Sequence, residues 1–491
     1  MSKKIILIFI SATLYFTATG CTSEEKFEDL GQKLASPIDV ATSDKGDYFY
    51  VLNADFDRTY NAGSVLVMDE DGTKITAVPT PRLGRTMTVA GNFMLVGFAR
   101  QDEDNAAQLH IYDVTAPATP KLIKRFEELI CNPVNIAAVK DYKHFAVTCS
   151  SGSIFMGTFP DSVDAPETAS IKKIRRFDVI RRALYIDPKR ELLMGFTAKF
   201  DQQNNKDTIY TDDYTYKDDG SKTAVPNDIP DEMESRAALR NNKATRRPYQ
   251  FFVYDIKNER DNAVATGCVV TDSEDCVFPA RRLSDPVSLA EQRFIYYNVS
   301  NFDGTPDITL NPNQKYYRTN FHTALADPDD PNAFYLSHRG IANEKGSPYA
   351  NDVIRVSIIG NLKATNNVAP ITQDVLSFER VSGFKGNTNE FKFPGDIEIA
   401  TISGQKILLV NNFRDLVNWK RADVYFSIEA QSLDSNLWHA ETENNSSPQT
   451  SWYQIAANER GKAMSVSFYG NAAMLLEIIP GVSLTQELRI E

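Results

Sequence analysis

The feature that most constrains this chain is a recurring cycle of β-segments. From Pro37 onward the same beats return: a first strand, a tight turn, a second strand ending in polar residues, a variable loop, a third apolar strand and a shorter fourth. The first cycle reads Pro37-Ile38-Asp39-Val40-Ala41, the turn Asp44-Lys45-Gly46-Asp47, residues 48–53, a loop, and residues 63–69. Residues 86–90, 93–100 and 108–113 repeat it about 44 residues later, a blade-like period. A third cycle occupies residues 134–138, 144–149 and 153–157. The fourth begins near Arg182-Ala183-Leu184-Tyr185 and resumes, after an insertion, at residues 250–255. The fifth has residues 321–326, 333–337 and 352–359, and the sixth 396–400, 406–411 and 423–428. The last closes with 452–456, 463–468, 473–478 and 483–490.

A single four-stranded sheet has two apolar faces and cannot bury both alone. Regularly repeated sheets must therefore stack on one another, and closing the ring removes exposed ends. The spacing predicts an all-β chain, a β-propeller of seven four-stranded blades over residues 37–491, with an insertion at about 200–249. A count of six to eight is compatible with the pattern, because residues 282–319, including Phe294-Ile295-Tyr296-Tyr297-Asn298, fit either an eighth blade or an elaboration of the fourth. One helix is expected at residues 230–241, inside the insertion, with Pro at a first-turn position and acids after it.

The N-terminus has a different character. Lys3 and Lys4 precede a mostly apolar stretch, residues 5–19, too short to span a bilayer as a helix of ~20 residues. It ends in Ala18-Thr19-Gly20-Cys21, which resembles the lipobox of bacterial lipoproteins, with Ala18 where that family more often has Leu. The resemblance implies a signal peptide at residues 1–20, a lipid-modified Cys21 and a lipid-anchored polar tether at residues 21–36, the acyl chains being the membrane contact. Thr22, where an inner-membrane retention signal would have Asp, points to the outer membrane of a cell envelope, with the body either periplasmic or surface-exposed.

The chain has 491 residues and a formal net charge of -12, and no second apolar run approaches ~18 residues. An acidic body lacks the broad basic face that nucleic acid needs. The basic clusters, Lys172-Lys173 with Arg175-Arg176, then Arg181-Arg182, then Arg246-Arg247, read as solvated strand edges. Of five cysteines, four remain once Cys21 is assigned to lipid. Cys131 and Cys149 are equidistant from Lys140 in a strand–turn–strand segment, and Cys268 and Cys276 are symmetric about Asp272. Both pairs are predicted disulfides, suited to an oxidising compartment, whereas metal binding would want a CxxC or a nearby His.

Tyr50-Val51-Leu52-Asn53 followed by Gly63-Ser64-Val65-Leu66-Val67-Met68-Asp69 resembles the YVTN repeat of bacterial and archaeal surface propellers. Leu408-Leu409-Val410-Asn411 echoes its first half and residues 250–255 its second. That family includes surface-layer proteins and binding modules, and similar propellers include sugar-lactone hydrolases, so the resemblance implies a fold and leaves the chemistry open.

In a propeller the start of each innermost strand and the loop between second and third strands share one face. Those loops vary here, at residues 54–62, 101–107, 199–248, 339–351 and 412–421, while the opposite turns stay short; loop variation on a rigid scaffold builds a recognition surface. The candidate binding face comprises Asn53, Asp55, Asp57, Arg100, Arg181, Lys199, His322, His338, Arg339, Asn411, Asn412 and Arg414. Several loops set a Phe beside Asp, as in Asn53-Ala54-Asp55-Phe56-Asp57 and Asn412-Phe413-Arg414-Asp415. These read either as turns pinned by a packed Phe or as a ring of amides and carboxylates able to hold Ca²⁺ in the central channel. No other cofactor is expected, and no metal ligands are assigned.

Nucleophilic chemistry has little support: there is no Gly-x-Ser-x-Gly elbow, and the five histidines include no His-x-x-x-His. His110 and His144 read as structural, while His322 and His338 meet near the rim of one blade. No catalytic residue is assigned. The leading expectation is a non-catalytic, membrane-tethered envelope propeller that binds a protein or a glycan through its looped face. The alternative is a hydrolase of a sugar lactone at the channel mouth, with a metal or an acid–base His and with Arg100, Arg181, Arg339 or Arg414 steering an anionic substrate.

Overall fold

The structure, a computed structural model, describes residues 27–100, 107–129, 132–149, 153–176, 180–197, 214–216, 222–224, 249–256, 294–299, 321–338, 352–359, 376–380, 394–412, 424–428, 437–440, 452–468, 470–479 and 483–490. The expected signal peptide at residues 1–20, Cys21, Cys131, Cys268, Cys276, Lys199, Arg339, Arg414 and the expected helix at 230–241 lie outside the described residues.

The first quartet is β1 (Pro37–Thr42), β2 (Tyr48–Asn53), β3 (Gly63–Asp69) and β4 (Lys74–Thr80). The second is β5 (Gly84–Ala90), β6 (Phe93–Phe98), β7 (Ala107–Asp113) and β8 (Lys121–Leu129). The third comprises β9 (Pro133–Ala138), β10 (His144–Cys149), β11 (Ser153–Thr158) and β12 (Ser170–Arg176). The fourth opens with β13 (Ile180–Asp187) and β14 (Leu192–Thr197). After a small hairpin of β15 (Tyr214–Tyr216) and β16 (Lys222–Ala224) it finishes with β17 (Tyr249–Asp255) and β18 (Phe294–Val299). The fifth is β19 (Phe321–Ala326), β20 (Ala333–His338), β21 (Asp352–Ile358) and β22 (Leu376–Arg380). The sixth is β23 (Pro394–Ile402), β24 (Gln405–Asn412), β25 (Val424–Ile428) and β26 (Leu437–Ala440), and the seventh β27 (Trp452–Ala457), β28 (Lys462–Ser467), β29 (Ala472–Ile479) and β30 (Ser483–Ile490).

Within each quartet consecutive strands pair antiparallel, and five of the quartets are separate sheets. The fourth and fifth join at one parallel bridge between Arg182 and Thr323. The innermost strands β1, β5, β9, β13, β19, β23 and β27 pack in succession, and β27 returns to β1, closing the ring. The chain folds as an all-β propeller. The segment at Phe294-Ile295-Tyr296-Tyr297-Asn298 falls in β18, the outer strand of the fourth blade, paired residue for residue with β17. It does not begin an eighth blade among the described residues.

Strand composition follows position. Alternate residues of β2 serve opposite neighbours: Phe49 and Val51 pack with Ala456, Met464 and Val466 of the seventh blade, while Tyr50 and Leu52 pack with Met94 and Val96 of the second. A middle strand buried on both faces must therefore be apolar throughout, as Tyr-Phe-Tyr-Val-Leu is. Outer strands carry charge instead. The basic cluster Lys172-Lys173 with Arg175-Arg176 lies on β12, the edge of its sheet, where charges oppose edge-to-edge pairing. Arg181-Arg182, read from sequence as another edge, sits on the innermost strand β13.

The packed body begins before the first repeat. Leu30, Leu34 and Ala35, which the sequence reading placed in the polar tether at residues 21–36, are buried, Leu34 in the core between the seventh and first blades. These apolar side chains pack the end of that segment onto the ring, beside hydrogen bonds from Asn53 to Lys33 O and from Ala35 N–H to Asn53.

Candidate functional site

The two faces of the propeller differ in the length of their connections. On the face of the short turns, polar groups are engaged from blade to blade. Asn458 Nδ2 donates to Gly46 O at 2.8 Å, and Arg460 pairs with Asp47 and, at 2.9 Å, with Glu70. Lys140 reaches Asp44 at 2.8 Å, and Arg190 donates to Pro331 O at 2.6 Å and to Asn332. Lys406 of the sixth blade donates to Asp327 at 2.7 Å and pairs with Asp329 at 3.0 Å, while Arg355 pairs with Asp327 and Asp330. Burial pushes the Asp327 carboxyl up, but the Lys406 bond, the Asp329 amide and the two cations outweigh it and hold it below the usual carboxylate range. Such a face is a set of clasps between blades.

The opposite face carries the loops, of which the 54–62 loop of the first blade is described in full. Asn53 is wholly buried: its Oδ1 accepts from Ala35 N–H at 3.1 Å, and its Nδ2 donates to Lys33 O at 3.1 Å and Ser64 Oγ at 2.9 Å. Asp55 is buried beneath the loop, accepting from the amides of Thr59 at 3.0 Å and Tyr60 at 3.2 Å, with Arg82 Nε 3.4 Å away. Burial raises its pKa in spite of these partners. Both residues were expected to line the binding face. In the structure both are buried and help form the loop, with their polar atoms bonded to backbone groups and to Ser64 Oγ and paired with Arg82. Asp57 is exposed and remains available. Phe56 meets Phe468 of the seventh blade edge-on at 5.1 Å and lies 4.8 Å from the Arg85 guanidinium of the second, so at this loop the Phe is a packing pin. Ser36, Asp55, Arg58 and Leu83 all adopt left-handed backbone here, with φ of 51°, 45°, 53° and 58°. Non-glycine residues hold that conformation only where surroundings impose it.

Every innermost strand begins with a register shift against its partner. The bulge re-aims a polar side chain towards the next blade. Asp39 Oδ2 accepts from Met87 N–H at 2.7 Å, Asp396 Oδ2 from Ile455 N–H at 3.1 Å, and Thr323 Oγ1 donates to Asp396 Oδ1 at 3.1 Å. Thr86, Asn135 and Gln454 occupy the matching places. The result is a polar girdle at the loop-face end of the innermost strands. Two residues along β23 from Asp396, Glu398 is half-buried, and among the described residues nothing hydrogen-bonds its carboxyl. Burial first, and Asp396 second, push its pKa well up. Asn411, expected on the binding face, is wholly buried: Ser465 Oγ lies 3.2 Å from its Oδ1, and its Nδ2 has no partner among the described residues. Sequence reading missed the girdle and Glu398, although Pro37-Ile38-Asp39-Val40 and Pro394-Gly395-Asp396-Ile397 share a visible pattern.

The other expected site residues fall as follows. The ladder sets His338 opposite Phe321, the neighbour of His322, so both histidine positions lie at the loop end of the fifth blade. Asn412 ends β24 opposite Pro394, and Arg181 lies on β13. Arg100 is exposed, its backbone N–H bonded to Asn132 Oδ1 at 2.8 Å. Cys149 is buried at the end of β10 and disulfide-bonded. Among the described residues no group of three or more His, Cys, Asp or Glu side chains is placed to hold a metal ion, and no helix is long and apolar enough to cross a membrane.

No protein-family model matches the chain, and no curated protein matches its sequence. Solved structures do. The β-propeller domain of Myceliophteria thermophila Cps50 (Swd1) is similar at a TM-score of 0.47 and 8% identity, over 91% of this chain and 99% of that one. Saccharomyces cerevisiae Sqt1 is similar at 0.44 and 8%, over 94% and 86%. Chaetomium thermophilum Sqt1, bound to the N-terminus of the ribosomal protein L10, is similar at 0.41 and 9%, over 93% and 88%. The blade arrangement itself rests on the ladders and the packing of this chain's own strands.

Proposed function

We propose that the protein is an envelope β-propeller, tethered to a membrane through lipid on Cys21, that binds a protein or glycan partner through its loop face without catalysing a reaction. The observation that supports this reading is the asymmetry of the two faces. Short turns joined by clasps form one, and the other carries the longer connections, with Asp57 exposed on the 54–62 loop. The lipobox-like Ala18-Thr19-Gly20-Cys21 and the YVTN-like first blade belong to the same reading, as do disulfides pairing Cys131 with Cys149 and Cys268 with Cys276. The test has two arms. Cys21→Ser should release the protein from the membrane fraction, and deleting residues 202–246 should remove adducts formed by cross-linking in intact cells while leaving the β-rich circular dichroism and melting curve unchanged. Retention of those adducts would contradict a loop-face partner.

One observation favours the rival reading, a hydrolase of a lactone. Glu398 combines a raised pKa, no hydrogen-bonded partner among the described residues and a place beside Asp396 on an innermost strand, which suits a general acid. Turnover of a lactone panel that is lost in Glu398→Gln or His322→Ala would establish it over the binding reading.

A further inference from the structure

The chain reaches the propeller at one particular place. Phe27 lies against Arg82, 5.3 Å from ring centre to guanidinium, in the connection between β4 and β5. Glu28 bridges Tyr60, Asn61 N–H donates to Glu28 O at 3.2 Å, and the Asn61 side chain meets Asp29. The following residues lie against the first blade, with Gln32 Nε2 donating to Ile75 O at 3.0 Å, and return to the loop end. There Asn53 grips Lys33 and Ala35, Ala54 N–H donates to Ser36 O at 3.1 Å, and Ser36 N–H donates to Asn471 of the seventh blade at 2.8 Å. Tyr60, Asn61 and Arg82 all belong to the loop-face rim. The entering chain is therefore fastened to that rim and cannot swing to the turn face.

The number of residues between Cys21 and that attachment is then fixed. From Cys21 to Phe27 there are 27 − 21 = 6 residue steps. Fully extended, each step spans at most about 3.6 Å, so the reach is roughly 20 Å. Innermost strands of six to nine residues, rising about 3.3 Å each, set the two faces about 20 Å or more apart. Only a fully extended connection running down the side of the first blade could bring the turn face to the anchoring surface.

We propose that the loop face of the propeller is turned towards the lipid surface that anchors Cys21, with the turn face pointing away. The proposal rests on the anchoring reading above and adds an orientation to it. A partner bound by this face then has to lie in or on the membrane.

The experiment uses the full lipidated chain reconstituted in vesicles of phosphatidylethanolamine and phosphatidylglycerol that carry a headgroup quencher. A fluorophore is placed on the loop face at Asp57→Cys or, separately, on the turn face at Lys45→Cys. Both positions are exposed, and Thr59→Cys with Glu459→Cys provides a second exposed pair should either variant fold poorly. Quenching several-fold stronger at 57 and 59 than at 45 and 459 is expected. Equal or reversed quenching on protein that floats with the vesicles overturns the orientation alone. Failure of the unlabelled chain to float overturns the anchoring reading, and the orientation with it.

Discussion

His110 sits on β7 with Gln108 Oε1 2.8 Å from its Nε2, Tyr112 Oη 3.3 Å from its Nδ1 and the Phe98 ring 4.7 Å away. Burial, helped by Arg125, lowers its pKa to about 4. An unfolded histidine titrates near 6.5, so the unfolded chain binds the extra proton first. Stability is full above about pH 6.5 and falls as pH drops through the folded value, by at most about 3 kcal/mol. Denaturant unfolding of the wild type and of His110→Gln between pH 7 and pH 4.5 should show a steeper acid loss in the wild type; parallel pH profiles would contradict a buried neutral imidazole. Glu398 gives the opposite sign. Its raised pKa means stability present at acid pH and lost as pH rises through the folded value. Glu398→Gln should therefore raise the melting temperature at pH 8 with the gain vanishing towards pH 4, and a gain of equal size at both pH values would show that charge is not the cause.

Among the elements, the turn between β1 and β2 joins the two ends of the ring. Gly46 has φ of 70°, and a Cβ there would stand 2.7 Å from Asn458 Cβ in the seventh blade. Gly404, in the equivalent turn of the sixth blade, has φ of 78° and open space around its missing Cβ. Alanine at either site meets the left-handed backbone cost of about 1–2 kcal/mol, and only Gly46→Ala adds the clash with Asn458. Chemical denaturation should find Gly46→Ala the more destabilised of the two, and equal losses would contradict a close approach of the blades at that turn. Strand order was legible because middle strands such as Tyr48–Asn53 must be apolar on both sides, while edge strands such as Ser170–Arg176 must not. The burial of Asn53, Asp55 and Asn411 was not legible. A polar side chain at a strand end looks the same in sequence whether it faces solvent or caps a neighbouring backbone, and only the returning chain at Lys33 and Ala35 decides the matter for Asn53. Glu398 was hidden for a related reason, since alternation places a residue on a face of a strand without saying what encloses it.

At the scale of the molecule, the four strands of each blade follow chain order from innermost to outermost, and among the described residues no blade borrows a strand from the other end of the chain. The ring is therefore closed by packing and polar clasps alone: the apolar layer of Val40, Phe49 and Val51 against Ala456, Met464 and Val466, the Asn458–Gly46 bond and the Arg460 pairs with Asp47 and Glu70. The loop face acquires its shape only if that seam holds, since Phe56 and Ser36 of the first blade rest on Phe468 and Asn471 of the seventh. The most direct test is a pair of spin labels at Lys45 and Glu459, exposed positions on the adjoining turns of the first and seventh blades. Strong dipolar broadening that disappears on unfolding is the predicted result. A folded, β-rich protein whose two labels show no broadening would contradict the closed ring.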